Sequence, residues 1–311
     1  MDQRSLYIVI PALNEKGSVG EVIGSIPRKI DGVSKVTVIV IDDGSTDATV
    51  QVARNAGADI IHSFGKNRGL ANAFSKGIEL ALKGKADIIV TMDADGQYDP
   101  REIPSVIKPI LDKKAEVVLT DRQVLTLRHM PLQKRIGNVI ATWVLRKACK
   151  FPVLDGQSGF RAFNREAARM LNIQSDYTYV AESIIQLSSR GLNITQTPCT
   201  FNPRQDKSRL ITNIFYYAYR AGTTIIRAHL RYRALKTFVT YGLILITLGV
   251  ALILRFLTYY VKGEGQGHVQ SMILAAILTL IGFQLVMLGL IADLINSNNR
   301  LLEDINYKLR E

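Results

Sequence analysis

The chain has 311 residues, of which 47% are apolar and 21% are charged, so it is long enough for one large globular domain and further material. Its two cysteines, Cys149 and Cys199, are too few for a disulfide framework or a zinc site. The net charge of +12 first suggests nucleic acid. However, residues 207–262 hold nine Lys or Arg and no Asp or Glu, and they lead into apolar sequence. We therefore expect a membrane as the partner, and no nucleic acid.

The first 120 residues alternate β-branched runs with helical patterns. The predicted strands are residues 6–11, 35–41, 58–62, 87–92 and 116–119. The predicted helices between them are residues 19–27, 47–56, 70–83 and 101–111. Nearly continuous apolar strands separated by helices indicate an α/β fold with a parallel sheet covered on both faces. Such folds bind ligands at the carboxyl ends of the strands.

The next part of the chain has mixed patterns. A further amphipathic helix is predicted over residues 132–150, and its periodicity places Trp143 in the core. A Gly-containing segment over 154–163, two helical patterns up to residue 190 and a strand over 192–200 follow. Residues 210–233 interleave apolar residues with arginines, which favours an interfacial helix facing anionic headgroups. A solvated basic helix is the alternative.

Two uncharged segments, residues 237–254 and 269–292, are 18 and 24 residues long. Because a bilayer takes about 20 residues, both are predicted to be transmembrane helices that form a hairpin. Two buried core helices are the alternative, but little other apolar material is left to cover them. Basic residues crowd before the first segment and return at Arg300, Lys308 and Arg310. The positive-inside rule then places the large domain and the tail in the cytoplasm.

These patterns predict four parts of the chain. They are a domain over residues 1–209, juxtamembrane amphipathic helices over 210–234, two transmembrane helices over 235–295 and a cytoplasmic tail over 296–311. We expect the beginning of the chain to stay in the cytoplasm, because residues 1–10 lack the length and basic flank of a secretory signal. The tail carries a stripe of Leu301, Ile305 and Leu309, so the tail or the membrane helices could pair with another copy of the chain. A tail that lies on the membrane is the alternative.

Residues 92–97 follow a predicted strand directly and bring two carboxylates, Asp93 and Asp95, to the ligand-binding edge. A hard divalent cation takes oxygen ligands, which Asp93, Asp95 and the amide of Gln97 can supply. Beside a nucleotide-diphosphate sugar, such a cation would offset the charge that builds on the departing diphosphate. Simple capping of the next helix is the structural alternative.

A second acidic segment, residues 41–47, also lies at a strand end. Gly44 permits a turn and Ser45 or Thr46 can cap the next helix, so structure alone explains part of it. A carboxylate here could also accept hydrogen bonds from a nucleobase or ribose. No Gly-x-Gly-x-x-Gly fingerprint follows the first strand, which argues against a hydride-transfer enzyme.

Five segments in order resemble the motifs of family 2 glycosyltransferases, which have the GT-A fold. They are Pro-Ala-Leu-Asn-Glu at 11–15, Asp-Asp-Gly-Ser-Thr-Asp at 42–47, Lys-Asn-Arg-Gly-Leu at 66–70, Asp-Ala-Asp-Gly-Gln at 93–97 and Gln-Ser-Gly-Phe-Arg at 157–161. With the C-terminal hairpin, the chain resembles the dolichyl- and polyprenyl-phosphate sugar synthases. The resemblance implies a membrane enzyme with a Rossmann-like GT-A domain at the cytoplasmic face. Its reaction would transfer a hexose from GDP-mannose, UDP-glucose or a similar donor to an isoprenoid lipid phosphate.

The resemblance also implies roles for individual residues. The donor-binding residues would be Pro11, Leu13, Glu15, Asp42, Asp43, Asp93 and Ala94, with Asp42 at the base. The ligands of Mg²⁺ or Mn²⁺ would be Asp93, Asp95 and Gln97. The acceptor phosphate would meet Arg122, Arg135, Ser158, Arg204 and Lys207, and the catalytic set would be Asp95, Arg122, Arg135 and Arg204. Residues 204–209 depart from the family's Arg-x-x-Gly-x-Ser-Lys pattern, because the glycine is missing and serine follows lysine.

Three functions are compatible with these motifs, and they differ in the molecule that accepts the sugar. A lipid monophosphate, with a second pKa of about 6, is already nucleophilic at neutral pH and needs no general base. It needs guanidinium groups, for which the candidates are Arg122, Arg135, Arg161 and Arg204 unless these are ordinary surface arginines. The second hypothesis is a processive polysaccharide synthase, whose hydroxyl acceptor needs a base such as Asp155 or Glu182. The third is a membrane-tethered scaffold without catalysis.

Overall fold

The computed structural model describes residues 4–128, 130–149, 151–173, 179–203, 214–263 and 269–309. Two compact units are present, Met1–Ile225 with Tyr307–Glu311, and Ile226–Asn306. The described part of the first unit is an α/β domain, and that of the second consists of two long helices.

The first unit contains a mixed sheet of seven strands among the described residues. The strands are β1 (Arg4–Ala12), β2 (Val33–Asp42), β3 (Ile60–Ser63), β4 (Ile88–Thr91), β5 (Val117–Asp121), β6 (Arg161–Asn164) and β7 (Ile194–Pro198). They lie in the order β3-β2-β1-β4-β6-β5-β7. Neighbouring strands are parallel except for β6, which is antiparallel to β4 and β5. The predicted fold with a mainly parallel sheet is confirmed.

Helices flank this sheet. They are α1 (Val19–Gly24), α2 (Thr49–Asn55), α3 (Leu70–Lys83), α4 (Ile103–Leu111), α5 (Leu132–Ala148), α6 (Arg165–Arg169) and α7 (Val180–Ser189), with a short 3-10 helix (Pro100–Glu102) ahead of α4. The bounds of α3 are those predicted from the sequence. Gly77 allows α3 to lie directly on β1, because a Cβ atom there would come within 2.1 Å of Val9 Cγ1.

The strands show why most of the sheet was predictable. Residues 6–12 of β1 and 36–42 of β2 are all buried, which requires continuous apolar or small side chains on both faces. In contrast, β6 was not predicted, because the sequence indicates only a Gly-containing segment over residues 154–163. This strand has four residues, begins with Arg161 and ends with Asn164, so no apolar run marks it. Its position depends on pairing with β4 and β5.

The core prediction for Trp143 is wrong, because its side chain is 58% exposed. The helix α5 packs on the domain through Ala141, Thr142 and Leu145, which are buried. Periodicity identifies an apolar face of a helix, but it does not say what covers that face.

Two long helices, α8 (Ile214–Val261) and α9 (Val269–Leu309), supply the described residues of the second unit. The helix α8 runs without a break through residues predicted to form the interfacial helix and the first membrane span. Two segments, Leu235–Val261 and Val269–Asn298, are long and apolar enough to cross a membrane, with mean hydropathy of 2.3 and 2.4. Only 11% and 17% of their most apolar windows are buried, unlike the helices of a protein core.

Small residues let α8 and α9 pack closely against each other. A Cβ atom at Gly242 would lie 2.7 Å from the carbonyl oxygen of Gly282, and one at Gly249 would lie 2.3 Å from Thr279 Oγ1. These contacts run in opposite directions along the two helices, so the helices form an antiparallel hairpin. Close backbone approach at glycines is typical of helix pairs in membranes.

Candidate active site

The carboxyl ends of β1 and β2 bring two of the predicted donor-binding segments together. Ala12 of β1 pairs with Asp42 of β2, so the loops that follow both strands start side by side. The backbone N–H of Asn14 donates to Ser45 Oγ, and the N–H of Thr46 donates to Asn14 Oδ1, each at 2.8 Å. Glu15 is tied in the same way, since its N–H donates to Thr49 Oγ1 at 2.8 Å.

Sequence reasoning assigned no role to Asn14, which links these two loops. Its φ of 55° lies in the left-handed region, where asparagine is several-fold enriched among non-glycine residues. The presence of an asparagine directly before Glu15 was therefore the sequence signal for this left-handed backbone position. Among the predicted donor residues nearby, Leu13 and Glu15 are half-buried, whereas Pro11 is buried in β1.

The carboxylates of Asp42 and Asp43 are buried and organise the loops around them. Asp42 accepts hydrogen bonds from the backbone N–H of Ser45 at 3.0 Å and from Ser63 Oγ at 2.6 Å. Asp43 accepts from the backbone N–H groups of Arg68 and Gly69, at 2.7 and 3.0 Å. These amides lie just before α3, so Asp43 fixes the loop that leads into that helix and places negative charge at its positive end.

Gly44 allows the same two loops to touch. Its φ is +81°, and a Cβ atom there would lie 2.5 Å from the carbonyl carbon of Lys66 and 2.7 Å from the backbone nitrogen of Asn67. Both the backbone conformation and the space therefore require glycine.

The acidic segment after β4 forms a tight turn. Gly96 has a φ of +73°, and the backbone N–H of Gln97 donates to Asp95 Oδ1 at 3.1 Å. Asp93 and Asp95 are half-buried, whereas the side chain of Ala94 packs in the core.

The segment after β7 lies beside this turn. The backbone N–H of Asn202 donates to the carbonyl oxygen of Gln97 at 2.7 Å, and Gln97 Nε2 donates to the carbonyl oxygen of Asn202 at 3.3 Å. Arg204 and Lys207, predicted to bind the acceptor phosphate, lie outside the described residues, as does Ser208.

Gly159 provides room for the Asp93 carboxylate. A Cβ atom at Gly159 would lie 3.0 and 3.1 Å from the two carboxylate oxygens of Asp93 and 3.3 Å from the hydroxyl of Tyr179. The glycine backbone is held by its neighbours: its N–H donates to the Tyr98 hydroxyl at 3.0 Å, and its carbonyl accepts from Thr91 Oγ1 at 3.0 Å.

Ser158, predicted to meet the acceptor phosphate, is fully buried. Its hydroxyl bonds to Thr120 Oγ1 at 2.6 Å and to the Tyr98 hydroxyl at 3.1 Å. A phosphate could reach this oxygen only by replacing those bonds. In the structure, Ser158 is therefore part of the hydrogen-bond network, with Thr120 and Tyr98, that fixes the backbone of residues 158–160. Burial raises the pKa of the Tyr98 phenol, so this network stays neutral at ordinary pH.

A buried ion pair lies at the end of β5. Arg122 Nε donates to Asp155 Oδ2 at 2.6 Å and Arg122 Nη2 donates to Oδ1 at 3.0 Å, a bidentate arrangement. The side chains are 9% and 1% exposed. Burial alone would raise the pKa of Asp155, but the adjacent Arg122 guanidinium holds that pKa below its ordinary value. Arg122 also lies over the ring of Phe201, 4.9 Å from its centroid.

The other two described arginine candidates differ from Arg122. Arg161 is fully buried and donates inward, to the carbonyl oxygen of Ser158 and to Ser183 Oγ, both at 2.8 Å. Burial lowers the pKa of its guanidinium. Arg135 is half-buried on α5 and donates to the carbonyl oxygen of Leu125 at 2.6 Å. Arg161 thus ties residues 158–161 to α7, while Arg135 braces the loop ahead of α5.

A family model described as glycosyl transferase family 2 matches residues 7–171, which cover both the acidic segments and the end of β5. The chain belongs to this family. It is a glycosyltransferase, as the resemblance implied.

Two curated archaeal relatives of this glycosyltransferase have informative names. The UDP-N-acetylglucosamine--dolichyl-phosphate N-acetylglucosaminyltransferase of Methanococcus voltae is 30% identical over 219 residues, which cover 64% of this chain and 86% of the relative. The dolichyl-phosphate hexose transferase of Haloferax volcanii is 29% identical over 206 residues, which cover 66% and 86%.

Among solved structures, the glycosyltransferase is similar to glucosyl-3-phosphoglycerate synthase of Mycobacterium tuberculosis with Mn²⁺, UDP-glucose and phosphoglyceric acid. The TM-score is 0.53 and the identity 23%, with 73% of this chain and 80% of the other covered. At this identity the likeness shows the fold, which is of the GT-A type.

The acidic turn of this glycosyltransferase fits a hard divalent cation. Within the described ranges, no three His, Cys, Asp or Glu side chains group together in a way that could hold a metal ion. Asp93 and Asp95 instead offer two carboxylates on one turn, which is held by the hydrogen bond from the backbone N–H of Gln97 to Asp95 Oδ1. Two or three protein oxygens suffice when phosphates and water supply the rest, as is usual for Mg²⁺ beside a nucleotide.

Proposed function

We propose that this glycosyltransferase moves a hexose from a nucleotide-diphosphate sugar onto the phosphate of a dolichyl or polyprenyl lipid. The observation that carries the proposal is the edge of the sheet where β4 and β5 end. There, half-buried carboxylates at Asp93 and Asp95 follow one strand, and the buried guanidinium of Arg122 follows the other. One side of this edge suits a metal-bound diphosphate and the other suits a second phosphate.

The donor side comprises the loops after β1, β2 and β4. Leu13, Glu15 and Asp42 would contact the nucleotide, while Asp43 keeps the neighbouring loop in place. Asp93, Asp95 and Gln97 would hold Mg²⁺ or Mn²⁺, which, when bound, offsets the charge on the departing diphosphate. The names of one relative and one solved structure favour UDP-sugars as the donors to test first.

The acceptor side would hold a lipid phosphate at Arg122, with Arg135, Arg204 and Lys207 as further cationic candidates. An oxygen of the phosphate forms a bond to the anomeric carbon as the bond from that carbon to the diphosphate breaks, so the configuration inverts. No proton has to be removed, because the phosphate is mostly dianionic at pH 7. Both curated relatives are named for dolichyl phosphate, which supports this acceptor.

The ion pair of Asp155 argues against one of the two bases predicted for a polysaccharide synthase. A hydroxyl acceptor needs a general base whose pKa lies near the working pH. Asp155 is engaged with Arg122, and its pKa is lowered rather than raised. It is therefore a weak base.

The membrane setting follows from the two apolar segments of α8 and α9. Their length and hydropathy suit two passes through a bilayer. Basic residues lie before the first segment and after the second, so the catalytic domain and the tail would face the cytoplasm. We keep the predicted division of the chain at residues 209, 234 and 295 as part of this proposal.

A transfer assay with membranes that contain the full chain tests the reaction. Mg²⁺ and an isoprenoid monophosphate are incubated with radiolabelled UDP- and GDP-sugars, one at a time, and lipid-extractable label is counted. The proposal predicts label from one donor, with metal dependence, and its loss in Asp95→Ala.

The matched control is Asp112→Ala, which removes an exposed carboxylate that pairs with Lys114 at 3.3 Å, and it should transfer like the wild type. Label that is chased into long polymer would favour the polysaccharide synthase. Folded protein that gives no label with any donor, or an Asp95→Ala variant with full activity, would contradict the proposal.

A further inference from the structure

A regular repeat of residues runs along one face of α9, which we call the heptad face. Its large apolar members are between 42% and 58% exposed: Ile277, Ile281, Leu288, Ile291, Ile295 and Leu302. With Gln284 and Asn298 included, the steps between members alternate between four and three residues from 277 to 302. This is the a/d spacing of a heptad repeat, and its length is typical of a helix that pairs with another helix.

The heptad face points away from α8. Gly282 faces α8, because a Cβ atom there would lie 2.7 Å from the carbonyl oxygen of Gly242. Gln284 follows two residues later, which is about 200° around the helix at about 100° per residue. Its side chain is exposed. The contact between α8 and α9 therefore does not cover the heptad face.

Gln284 places an amide near the middle of the second apolar segment, Val269–Asn298. The amide has two N–H donors and an acceptor oxygen, and hydrocarbon offers no partner to any of them. Polar side chains in membrane helices are therefore usually found facing another helix, to which they can hydrogen-bond. Lipid would cover the isoleucines and leucines of the heptad face, but it would leave this amide without hydrogen bonds.

The heptad face also extends beyond what a bilayer can cover. The helix α9 has 41 residues, which at about 1.5 Å per residue is about twice the thickness of the hydrocarbon core. Leu302 lies past the end of the apolar segment, and Ile305 continues the repeat in the sequence. A second helix beside α9 would cover residues both inside and outside the bilayer, which lipid cannot do.

We propose that the heptad face of α9 pairs with the same face of a second copy of this chain. All copies enter the membrane in the same direction, so two α9 helices related by a two-fold axis along the membrane normal are parallel and in register. Each residue of the repeat then meets its equivalent at the same depth. The two Gln284 amides can donate to and accept from each other, whereas a different protein would need a polar group at that depth. The inference uses the membrane setting of the proposed function but does not require sugar transfer.

Disulfide linking between copies tests the position of the contact. Full-length chains with two different affinity tags are co-expressed, isolated membranes are oxidised, and linked pairs that carry both tags are measured. Leu288→Cys, in the heptad face, should link severalfold more than the wild type, whose Cys149 and Cys199 set the background. The matched control Leu290→Cys should stay near the background. Leu288 and Leu290 are 51% and 46% exposed, but they lie about 200° apart around the helix.

Two substitutions at Gln284 test the role of the amide, each in the Leu288→Cys background. Gln284→Leu should reduce the yield of linked pairs severalfold, although it makes the segment more apolar and so favours its insertion. Gln284→Asn keeps an amide at the same depth and should retain most of the yield. Washing the membranes with alkaline carbonate before oxidation verifies that each variant is inserted.

Three results would overturn the pairing of α9 helices. They are equal yields from Leu288→Cys and Leu290→Cys, as in random collisions; an unchanged yield in Gln284→Leu; and linked products with one tag only, as in pairing with another protein. Protein that carbonate removes from the membranes would overturn the membrane setting together with this inference. None of these readouts needs a sugar donor, so the outcome is independent of the transfer assay.

Discussion

The proposed donor side and the proposed acceptor side of the site are built in different ways. On the donor side, carboxylates accept hydrogen bonds from backbone amides of adjoining loops, as Asp43 does from Arg68 and Gly69. On the acceptor side, two side chains that are distant in sequence bind each other: Arg122 donates two hydrogen bonds to the carboxylate of Asp155. The donor side thus depends on backbone shape, and the acceptor side depends on the balance of two buried charges.

This difference teaches which substitutions each side tolerates. Every residue except proline has a backbone N–H, so the donor loops need particular residues chiefly at the positions of a glycine or a carboxylate. The acceptor side needs both members of its pair, because a buried charge that has lost its partner is strongly destabilising. The two sides should therefore respond differently to removal of one group.

The largest expected effect is that of Asp155→Ala. It leaves the Arg122 guanidinium buried without its carboxylate, which should lower the free energy of unfolding by about 3–5 kcal/mol. Both cysteines of the chain lie in the described part of this domain, so a thiol-reactive fluorophore added during heating reports its unfolding.

Two further variants check that the buried pair is responsible. Asp112→Ala removes a surface partner of Lys114 and should change the free energy by about 1 kcal/mol or less. The double variant Arg122→Met/Asp155→Leu should regain most of the stability lost in Asp155→Ala while transferring no sugar. Equal melting temperatures for Asp155→Ala and Asp112→Ala would contradict this account of the acceptor side.

On the donor side, the largest expected effect is that of Gly44→Ala. The matched control is Gly65→Ala, since Gly65 has a φ of +68° but nothing within 4 Å of an added Cβ atom. The control should lose about 1 kcal/mol for its left-handed backbone. Gly44→Ala adds a clash with the Lys66 backbone, for a total of about 2–3 kcal/mol. Equal losses in the thiol-labelling assay would show that the loops can separate without strain.

Much of the fold could be predicted from the sequence because its signals are local. The apolar runs of β1 and β2 and the periodicity of α3 each lie within one segment. The strand β6 could not be predicted, since its four residues are polar at both ends and it exists through pairing with strands on either side. The exposure of Trp143 could not be predicted for a similar reason: the sequence shows that a helix has an apolar face, but it does not show whether another element covers that face.

The site divides in the same way. Asp42 ends β2, and Asp93 and Asp95 follow β4, so these motif residues lie at the same edge of the sheet because parallel strands end together. The inward direction of Ser158 and Arg161 was not predictable, since it follows from hydrogen bonds to Thr120 and Ser183, which are distant in sequence. Whether these residues bind donor, metal or acceptor stays a prediction.

A smaller effect should follow from Gly159→Ala, which links the two sides. The new Cβ atom would lie 3.0 Å from a carboxylate oxygen of Asp93, so that carboxylate has to move by a few tenths of an ångström. We expect about 1 kcal/mol of lost stability or less, but a clear rise in the metal concentration that gives half-maximal transfer. Gly24→Ala, at a position with open space, is the control and should change neither quantity. If Gly159→Ala needed the same metal concentration as the wild type, this would argue against Asp93 as a ligand of the metal.

The smallest expected effect is that of pH on the acceptor-side pair. Since the pKa of Asp155 in the folded protein is below its ordinary value of 3.8, the stability gained from ionising it is fully present above that value. That stability is lost only as the pH falls through the lowered pKa. The difference in melting temperature between the wild type and Arg122→Met/Asp155→Leu should therefore be constant from about pH 8 to about pH 5 and should shift against the wild type only in stronger acid. A change within the neutral range would mean that Asp155 titrates there, which would make it a competent base and reopen the case for a hydroxyl acceptor.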